Sequence, residues 1–232
     1  MAKLFLGTKE SSPVVLVQNQ KTPTIFNAGF DFWVGESDAN GKLNYKIEPA
    51  ELVFTGVKDI GDWCLAYRYY YKKNIQASLI FSDLEDITGT DAMDYFFYQS
   101  GATSVEFPKL TRVTGNSAMY YAFSYNTNLT TVVLENLVEV SGEHAMVSCF
   151  SECSKLTSVS LPNLTTISSQ SGCYSLFSSC SYITSADLRR LTTISGNSGA
   201  SSMFFGNSQL KTVNLNSLTS VTGNTAMTQM FK

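Results

Sequence analysis

The sequence predicts an α/β repeat solenoid, with a parallel sheet on one face, short helices on the other and a small β segment at the N-terminus. Leu129, Leu156, Ile183 and Leu210 follow one another at intervals of 27 residues. Within each interval, apolar and polar residues first alternate, as in a strand with one buried face. Apolar residues at helical spacing follow. Repeats of this kind bury their apolar faces against one another, so they form a single stack.

Seven copies of the repeat can be aligned, and together they span residues 47–232 as one solenoid of 27-residue period. The first copy is degenerate, and its core columns are assigned to Leu52, Phe54, Val57, Ile60, Ala66 and Tyr70. One parallel sheet is expected, with strands near residues 52–54, 79–81, 105–107, 132–134, 159–161, 186–188 and 213–215.

A turn and a short helix are expected after the strand in each copy. Gly115-Asn116-Ser117 and Gly223-Asn224-Thr225 are the turn residues, because Gly permits a tight turn and Asn, Ser or Thr can cap a helix. The pattern that follows, A-M-x-x-A/M-F, places its apolar residues on one helical face.

Residues 1–46 lack the repeat and are expected to form a β-rich cap or attachment segment. They contain the apolar runs KLFLG, VVLVQ and FDFWVG. Asn40-Gly41 is the expected hairpin turn before KLNYKI.

The repeated columns resemble a known family. The stretch LTSVSLPNLTTI…LFSSCSYI is similar to the BspA-like leucine-rich repeats, and the resemblance covers roughly residues 50 to 231. It implies a stack of strand, turn and return units that binds a partner and carries no catalytic centre. The units are about four residues longer than the family's, and their last turn position holds Asn126, Cys153, Cys180 and Asn207.

A second, shorter resemblance concerns the N-terminus. The opening MAKLFLG…PVVLV is similar to the openings of small tail and fibre proteins in phages of gut bacteria that carry such repeats. It implies a virion component, a tail or head fibre assembled in the host cytoplasm, which contacts other virion proteins through residues 1–46. A bacterial surface or secreted adhesion protein and an intracellular interaction scaffold are the alternatives.

Composition argues against several other classes of protein. The net charge is −3 and the pI is about 5.2, so no basic surface for nucleic acid is expected. No apolar run reaches the roughly 18 residues of a membrane helix, and the first residues do not form a secretory signal. The five cysteines lack the paired spacing of a zinc site, and we expect them to be buried and reduced.

No constellation for catalysis, metal or cofactor binding is apparent. His144 falls in a turn column, and the acidic clusters are expected to be solvated. Asp38-Ala39-Asn40-Gly41 resembles the start of a calcium loop but lacks the later Glu. Two glycosylation sequons begin at Asn128 and Asn163, but their middle residues are core columns. The acidic clusters are Asp83, Glu85 and Asp86, and Asp91 and Asp94.

The candidate binding surface consists of tyrosines at polar columns of the predicted helices. Tyrosine is an effective contact residue because it combines a rigid apolar ring with a polar tip. Packing of these rings on the edge of the solenoid is the alternative. The residues are Tyr67, Tyr71, Tyr95, Tyr98, Tyr120, Tyr121 and Tyr125.

Two further surfaces follow from the columns. The outward face of the strands carries mostly Ser and Thr and could dock a protein or a cell-surface glycan. The apolar columns of the last copy would line an open end face, which we expect to be covered by a second copy of the chain or by a neighbouring chain. That face would contain Leu215, Leu218, Val221, Met227 and Phe231.

Overall fold

A computed structural model of the chain describes residues 57–67, 70–71 and 75–232, together with the seven strands that precede them. It is a solenoid in which every coil contributes two short parallel strands and a long turn segment. The predicted repeat architecture is therefore confirmed. Among the described residues there is no helix, and so none of the length and apolarity needed to cross a membrane.

The first strand of each coil overlaps the position that the sequence predicts. Within each of two groups these strands pair in parallel with those of neighbouring coils, and inward residues such as Val105 are buried. They are β7 (Ile47–Thr55), β9 (Ile75–Phe81), β11 (Ala102–Glu106), β13 (Thr131–Val133), β15 (Ser158–Ser160), β17 (Ser185–Asp187) and β19 (Thr212–Asn214).

The expectation of one sheet on this face is wrong, because the ladder divides between β13 and β15. The strand orders are β13-β11-β9-β7-β2 and β15-β17-β19, where β2 comprises Val14–Val17. The two coils at the division remain joined elsewhere, because Glu139 pairs with Thr166 and the His144 N–H donates to the Gln170 carbonyl over 2.9 Å. Stacking of the coils therefore does not depend on this ladder.

A second ladder, which the sequence analysis did not assign to strands, runs unbroken along the stack. Two residues from each coil pair in parallel with their neighbours, and together they form an eight-stranded sheet. Its members are β3 (Ile25–Phe26), β8 (Asp59–Ile60), β10 (Asp86–Ile87), β12 (Arg112–Val113), β14 (Glu139–Val140), β16 (Thr166–Ile167), β18 (Thr193–Ile194) and β20 (Ser220–Val221).

Strands of the N-terminal segment extend both ladders. β2 pairs in parallel with β7, and β3 pairs in parallel with β8. β1 and β4 form a separate parallel pair, and β5 and β6 pair antiparallel on either side of the predicted hairpin turn, which itself lies outside the described residues. Their bounds are β1 (Leu4–Leu6), β4 (Phe32–Val34), β5 (Glu36–Ser37) and β6 (Leu43–Asn44).

The predicted helices are replaced by ribbons of overlapping four-residue turns. In one coil the Ala122 N–H donates to the Met119 carbonyl and the Ser124 N–H to the Tyr121 carbonyl, each over 3.2 Å. An α-helix would instead direct each N–H to the carbonyl four residues earlier. The apolar residues still face inward, because a four-residue turn returns the chain to the same face at each step.

Every second N–H of a turn ribbon donates to the next coil. Met119, Tyr121 and Phe123 donate to the carbonyls of Ala145, Val147 and Cys149 over 2.7, 2.9 and 2.9 Å. The backbone can do this only by adopting positive φ at every fourth residue. In the same coil these residues are Ser117 (50°), Tyr121 (50°) and Tyr125 (59°).

A stack of phenylalanine rings and a column of Asn and Cys side chains fill the interior of the solenoid. Phe123, Phe150, Phe177, Phe204 and Phe231 form one stack, with ring centroids 5.4 to 6.1 Å apart. The last turn position binds the carbonyl of a phenylalanine in the preceding coil in each of four coils. Asn126 donates to Phe97, Cys153 to Phe123, Cys180 to Phe150 and Asn207 to Phe177.

All five cysteines are buried, as the sequence predicts. Burial raises the pKa of the Cys173 and Cys180 thiols to about 12, and that of Cys149 also rises well above its ordinary value. Because the thiolate is the reactive form, these groups are structural rather than nucleophilic.

The glycine column at the start of each turn ribbon allows neighbouring coils to approach closely. A Cβ on Gly142 would lie 2.0 Å from the Gly115 carbonyl oxygen, far inside the roughly 3.5 Å of a van der Waals contact. The sequence analysis assigned this glycine to a tight turn. In the structure Gly142 instead permits a close approach to the backbone of the preceding coil.

Gly142→Ala should therefore destabilise the protein by about 2 to 3 kcal/mol, because one of two packed backbones must move. Ser169 occupies the equivalent position in the next coil, and its buried hydroxyl has no hydrogen-bond partner. Ser169→Gly is the matched control and should change stability by less than about 1 kcal/mol. Urea unfolding of both variants measures the difference, and equal losses would contradict the close-approach explanation.

Candidate functional site

The seven tyrosines predicted from the sequence form one contiguous surface, here called the tyrosine patch. Tyr67 and Tyr71 are each 50% exposed and Tyr125 is 39% exposed. The other four are partly exposed and lie between these three. The patch occupies the turn ribbons of three consecutive coils.

The rings of the tyrosine patch stack along the axis of the solenoid. Tyr67 stacks on Tyr95 at 5.3 Å, and Tyr95 stacks on Tyr121 at 5.2 Å with only 4° between the ring planes. Tyr98 contacts Tyr71 at 5.4 Å and Tyr125 at 5.3 Å. The rings therefore also pack on one another at the edge of the solenoid, which was the alternative to a binding surface. The outer side of the patch nevertheless stays exposed.

The turn ribbon explains why these side chains point outward. Tyr67, Tyr95 and Tyr121 occupy the same positive-φ column, which directs each side chain away from the core. The Tyr95 N–H donates to the Tyr120 carbonyl over 2.9 Å, which keeps successive coils in register. Residues of one column therefore repeat at the spacing of one coil, which is close enough for ring stacking.

Tyr70 is an eighth member of the patch that the sequence analysis missed. It was assigned to a core column together with Ala66, but it is partly exposed and stacks on Tyr98 at 5.3 Å. The alignment of the degenerate first copy is wrong by one residue at this point, since Leu65 is buried and Ala66 is not. The 28-residue spacing of Tyr70 and Tyr98, equal to that of Gly61 and Gly89, is the signal that could have found it.

Burial raises the pKa of several phenols in the patch. Desolvation is the main reason that the pKa of Tyr67 and of Tyr98 rises to about 12, and it also raises the pKa of Tyr95 and Tyr120. These four hydroxyl groups therefore act as uncharged hydrogen-bonding groups at neutral pH.

Asp94 lies buried within the patch, which corrects the expectation that it is solvated. Its side chain is only 7% exposed, and the Oδ1 atom has no hydrogen-bond partner. Burial raises the pKa of this carboxyl to about 6, while a hydrogen bond with the Tyr67 side chain acts in the opposite direction. Asp91 is partly exposed and also raises it.

The other acidic cluster is solvated, and its carboxylates form ion pairs with cationic side chains beside the strands. Lys109 binds Asp83 over 2.7 Å, Lys58 binds Glu85 over 2.9 Å, and Arg112 binds Asp86 over 2.8 Å. These ion pairs join neighbouring coils at the surface, where such pairs contribute little stability.

His144 lies in a turn, and the asparagines of the two sequons form hydrogen bonds between coils. His144 adopts a φ of 56° at a turn position, as predicted. The Asn163 side chain donates to the Glu135 carbonyl over 2.7 Å, and Lys155 donates to the Asn128 side chain over 2.8 Å. Asp38 to Gly41 lie outside the described residues. Within the described part of the chain, no group of three or more His, Cys, Asp or Glu side chains could hold a metal ion.

The outward face of the first strands of the last three coils, here called the strand face, carries a groove of about 490 Å³. Small polar side chains line it, and Asp187 and Arg189 form an ion pair at its border, with the Arg189 Nε 2.8 Å from Asp187 Oδ2. The sequence analysis expected a shallow face of small residues here but did not single out a groove. Its polar lining includes Ser158, Ser160, Ser185, Thr212, Asn214 and Asn216.

Comparison with known proteins identifies the repeat. Residues 90–230 match the family model of the BspA type leucine rich repeat region in six copies, over more than half of the chain. Among solved structures, the leucine rich repeat protein of T. pallidum is similar, with 21% sequence identity and a TM-score of 0.47. That match covers 75% of this chain and 73% of the T. pallidum chain. No curated protein gives a significant sequence match.

Asp94 should make stability depend on pH. Because its pKa is raised from 3.8 to about 6 in the fold, the fold favours the neutral carboxyl. Its contribution to stability is complete below about pH 3.8, falls as the pH rises from there through the folded pKa of about 6, and is lost above it. Relative to Asp94→Asn, the wild type should therefore lose about 1 to 3 kcal/mol between pH 4 and pH 7.5.

Urea unfolding of wild type and Asp94→Asn at the two pH values measures this loss. Other titrating groups are common to both proteins, so the change in the difference reports on Asp94 alone. A difference that does not vary with pH would mean that the carboxyl is solvated.

Proposed function

The chain belongs to the BspA type leucine-rich repeat family, and on this basis we propose that it is a non-enzymatic binding protein that recognises a partner through its tyrosine patch. The contiguity of the patch carries the proposal. Eight tyrosines from three coils form one surface, although they are spread over 59 residues of the chain, from Tyr67 to Tyr125.

The physical character of the patch suits recognition. Tyrosine side chains lose little conformational entropy on binding and are enriched among residues that dominate interfaces. Here each ring is already held by ring contacts and by backbone hydrogen bonds between coils, so the surface is preorganised. The same turn columns in later coils carry Ser148, Ser175 and Ser202, which makes the patch a local feature of the stack.

A glycan ligand would be best accommodated by the strand-face groove. Its lining of hydroxyl, amide and carboxylate groups next to Arg189 offers both donors and acceptors of hydrogen bonds. This second candidate is independent of the tyrosine patch, so the two surfaces could serve the same protein.

The more specific part of the proposal is a phage virion role, as a tail or head fibre assembled in the host cytoplasm. Its support is the resemblance of the first twenty or so residues to phage tail and fibre proteins. Residues 1–46 would then contact other virion proteins, and the solenoid would present the recognition surface. A bacterial surface adhesion protein is the alternative, and mass spectrometry of purified virions against cell envelope fractions distinguishes the two.

Assembly with another chain belongs to the same proposal. In the last coil Val221 is 46% exposed and Phe231 is 50% exposed, although both continue core columns. Phe231 stacks on Phe204 at 6.1 Å and offers its other side to a further apolar surface. A second copy of the chain or a neighbouring protein would bury these residues.

The patch is tested with a double variant, Tyr71→Ala and Tyr125→Ala. These rings are the better choice because they are exposed, whereas Tyr95 contacts five other tyrosines and also supports the fold. If both rings lie in the interface, binding of the labelled full chain to intact cells of gut bacteria should weaken by about 2 kcal/mol or roughly thirtyfold.

Flow cytometry with titrated protein measures this binding over a panel of strains. The matched control is Tyr174→Ala with Tyr182→Ala, since these tyrosines are 39% and 63% exposed but lie outside the patch. Equal binding by the patch variant and the control variant would refute the tyrosine patch as the recognition surface.

A further inference from the structure

Asp94 combines two features that seldom occur together in a folded protein. It is a buried carboxylate, and one of its oxygen atoms has no hydrogen-bond partner. A buried carboxylate is normally paired or fully hydrogen-bonded, because desolvation of an ion is unfavourable. Among the described residues, the Tyr67 side chain forms a hydrogen bond with this carboxyl.

The titratable residues that interact with this carboxylate are tyrosines and a second aspartate. Tyr67, Tyr95 and Tyr120 are near enough to interact with Asp94 electrostatically, and so is Asp91. Asp62 in turn interacts with Asp91. Within the described residues, several cationic side chains form ion pairs with carboxylates beside the strands. None of these ion pairs involves Asp94.

Backbone contacts hold this arrangement in place. The Tyr67 N–H donates to the Asp94 carbonyl over 2.8 Å, and the Tyr95 N–H donates to the Tyr120 carbonyl over 2.9 Å. Asp94 is therefore fixed beside half-exposed Tyr67, where the patch reaches solvent. These bonds fix the backbone on both sides of the Asp94 side chain.

We propose that Asp94, with the rings of Tyr67, Tyr95 and Tyr120, receives a cationic side chain, a lysine ammonium or an arginine guanidinium, from a protein partner. Because Oδ1 is shielded from solvent, the cation reaches it when the half-exposed Tyr67 ring moves aside, and it then supplies the missing hydrogen bond and neutralises the buried charge. Neutral tyrosine rings attract cations through their faces, more strongly when the contact is desolvated. Neighbouring Asp91 and Asp62 add to the attraction.

This inference rests on the proposed function, because it assigns a ligand chemistry to the same patch. It also accounts for a group that works against the stability of the unbound protein. Burial raises the pKa of Asp94, and a bound cation should lower it. The unbound carboxylate is thus a destabilising feature that a cationic partner would relieve.

The test uses N-acetyl-lysine-methylamide as the probe and N-acetyl-norleucine-methylamide as its uncharged counterpart. Both are titrated into the full chain carrying 13C-labelled tyrosine rings, at constant ionic strength. The lysine probe should shift the ring signals of Tyr67, Tyr95 and Tyr120 in a saturable manner, and the norleucine probe should not. Equal shifts with both probes would overturn the proposal.

Two variants separate Asp94 from general electrostatics. Asp94→Asn should weaken binding of the lysine probe by about tenfold or more, as expected for loss of a hydrogen bond to a charged group. Asp62→Asn removes an exposed carboxylate nearby and should weaken binding by less than about threefold. Unchanged affinity of Asp94→Asn would overturn the proposal.

A measurement on the wild type does not depend on whether a variant folds. Carboxyl 13C signals report the pKa of Asp94, which should fall when the lysine probe is present and stay constant with the norleucine probe. No fall would overturn the cation site.

If the patch variant with alanine at positions 71 and 125 loses cell binding while Asp94→Asn retains it, the cation site fails and the proposed function stands. If the patch variant retains cell binding, the proposed function fails regardless of the probe.

Discussion

Hydrogen bonds between the turn ribbons of neighbouring coils are the constraint on which the rest of this structure depends. Each ribbon directs every second N–H to the next coil, as when Tyr121 donates to Val147 over 2.9 Å. The chain must adopt positive φ at every fourth residue to do so, which disfavours an L-residue by about 1 to 2 kcal/mol. The bonds to the neighbouring coil offset this strain, so a ribbon is stable only within the stack.

The same constraint produces the surface. Residues at the positive-φ positions point outward and repeat once per coil, so tyrosines at these positions come within stacking distance of one another. The core obeys the same register, since Phe123 and Phe150 stack at 5.4 Å and Gly142 leaves no room for a Cβ against Gly115. Core packing, backbone contact and the tyrosine patch are thus three consequences of one spacing between coils.

Several features could be predicted from the sequence because they follow from the repeat period. The 27-residue columns predicted the strands near Val105 and Val159 and the inward phenylalanines. The outward tyrosines were recognisable because they fall between apolar columns. The helices were wrongly predicted, because Ala118, Met119, Ala122 and Phe123 face inward in a four-residue turn ribbon as they would in a short helix. The signal that distinguishes a turn ribbon from a helix lies in the columns with positive φ, because β-branched residues are disfavoured there. Thr225 is the one β-branched residue in these columns among the residues described.

Asp94 and Tyr70 could not be placed correctly for different physical reasons. A carboxylate in a polar column is expected to reach water, but packing within the tyrosine patch buries Asp94. Tyr70 belongs to a degenerate copy, where a shift of one residue exchanges the inward and outward columns. Both errors concern local contacts between coils, which the period alone does not determine.

A direct NMR measurement of the hydrogen bonds between coils tests the central claim. Scalar coupling across a hydrogen bond connects the donor nitrogen to the acceptor carbonyl carbon, and a long-range HNCO experiment on labelled protein detects it. The account predicts a coupling from the Tyr121 nitrogen to the Val147 carbonyl carbon in the next coil. A coupling from Tyr121 to the Ser117 carbonyl carbon, as in an α-helix, would contradict it.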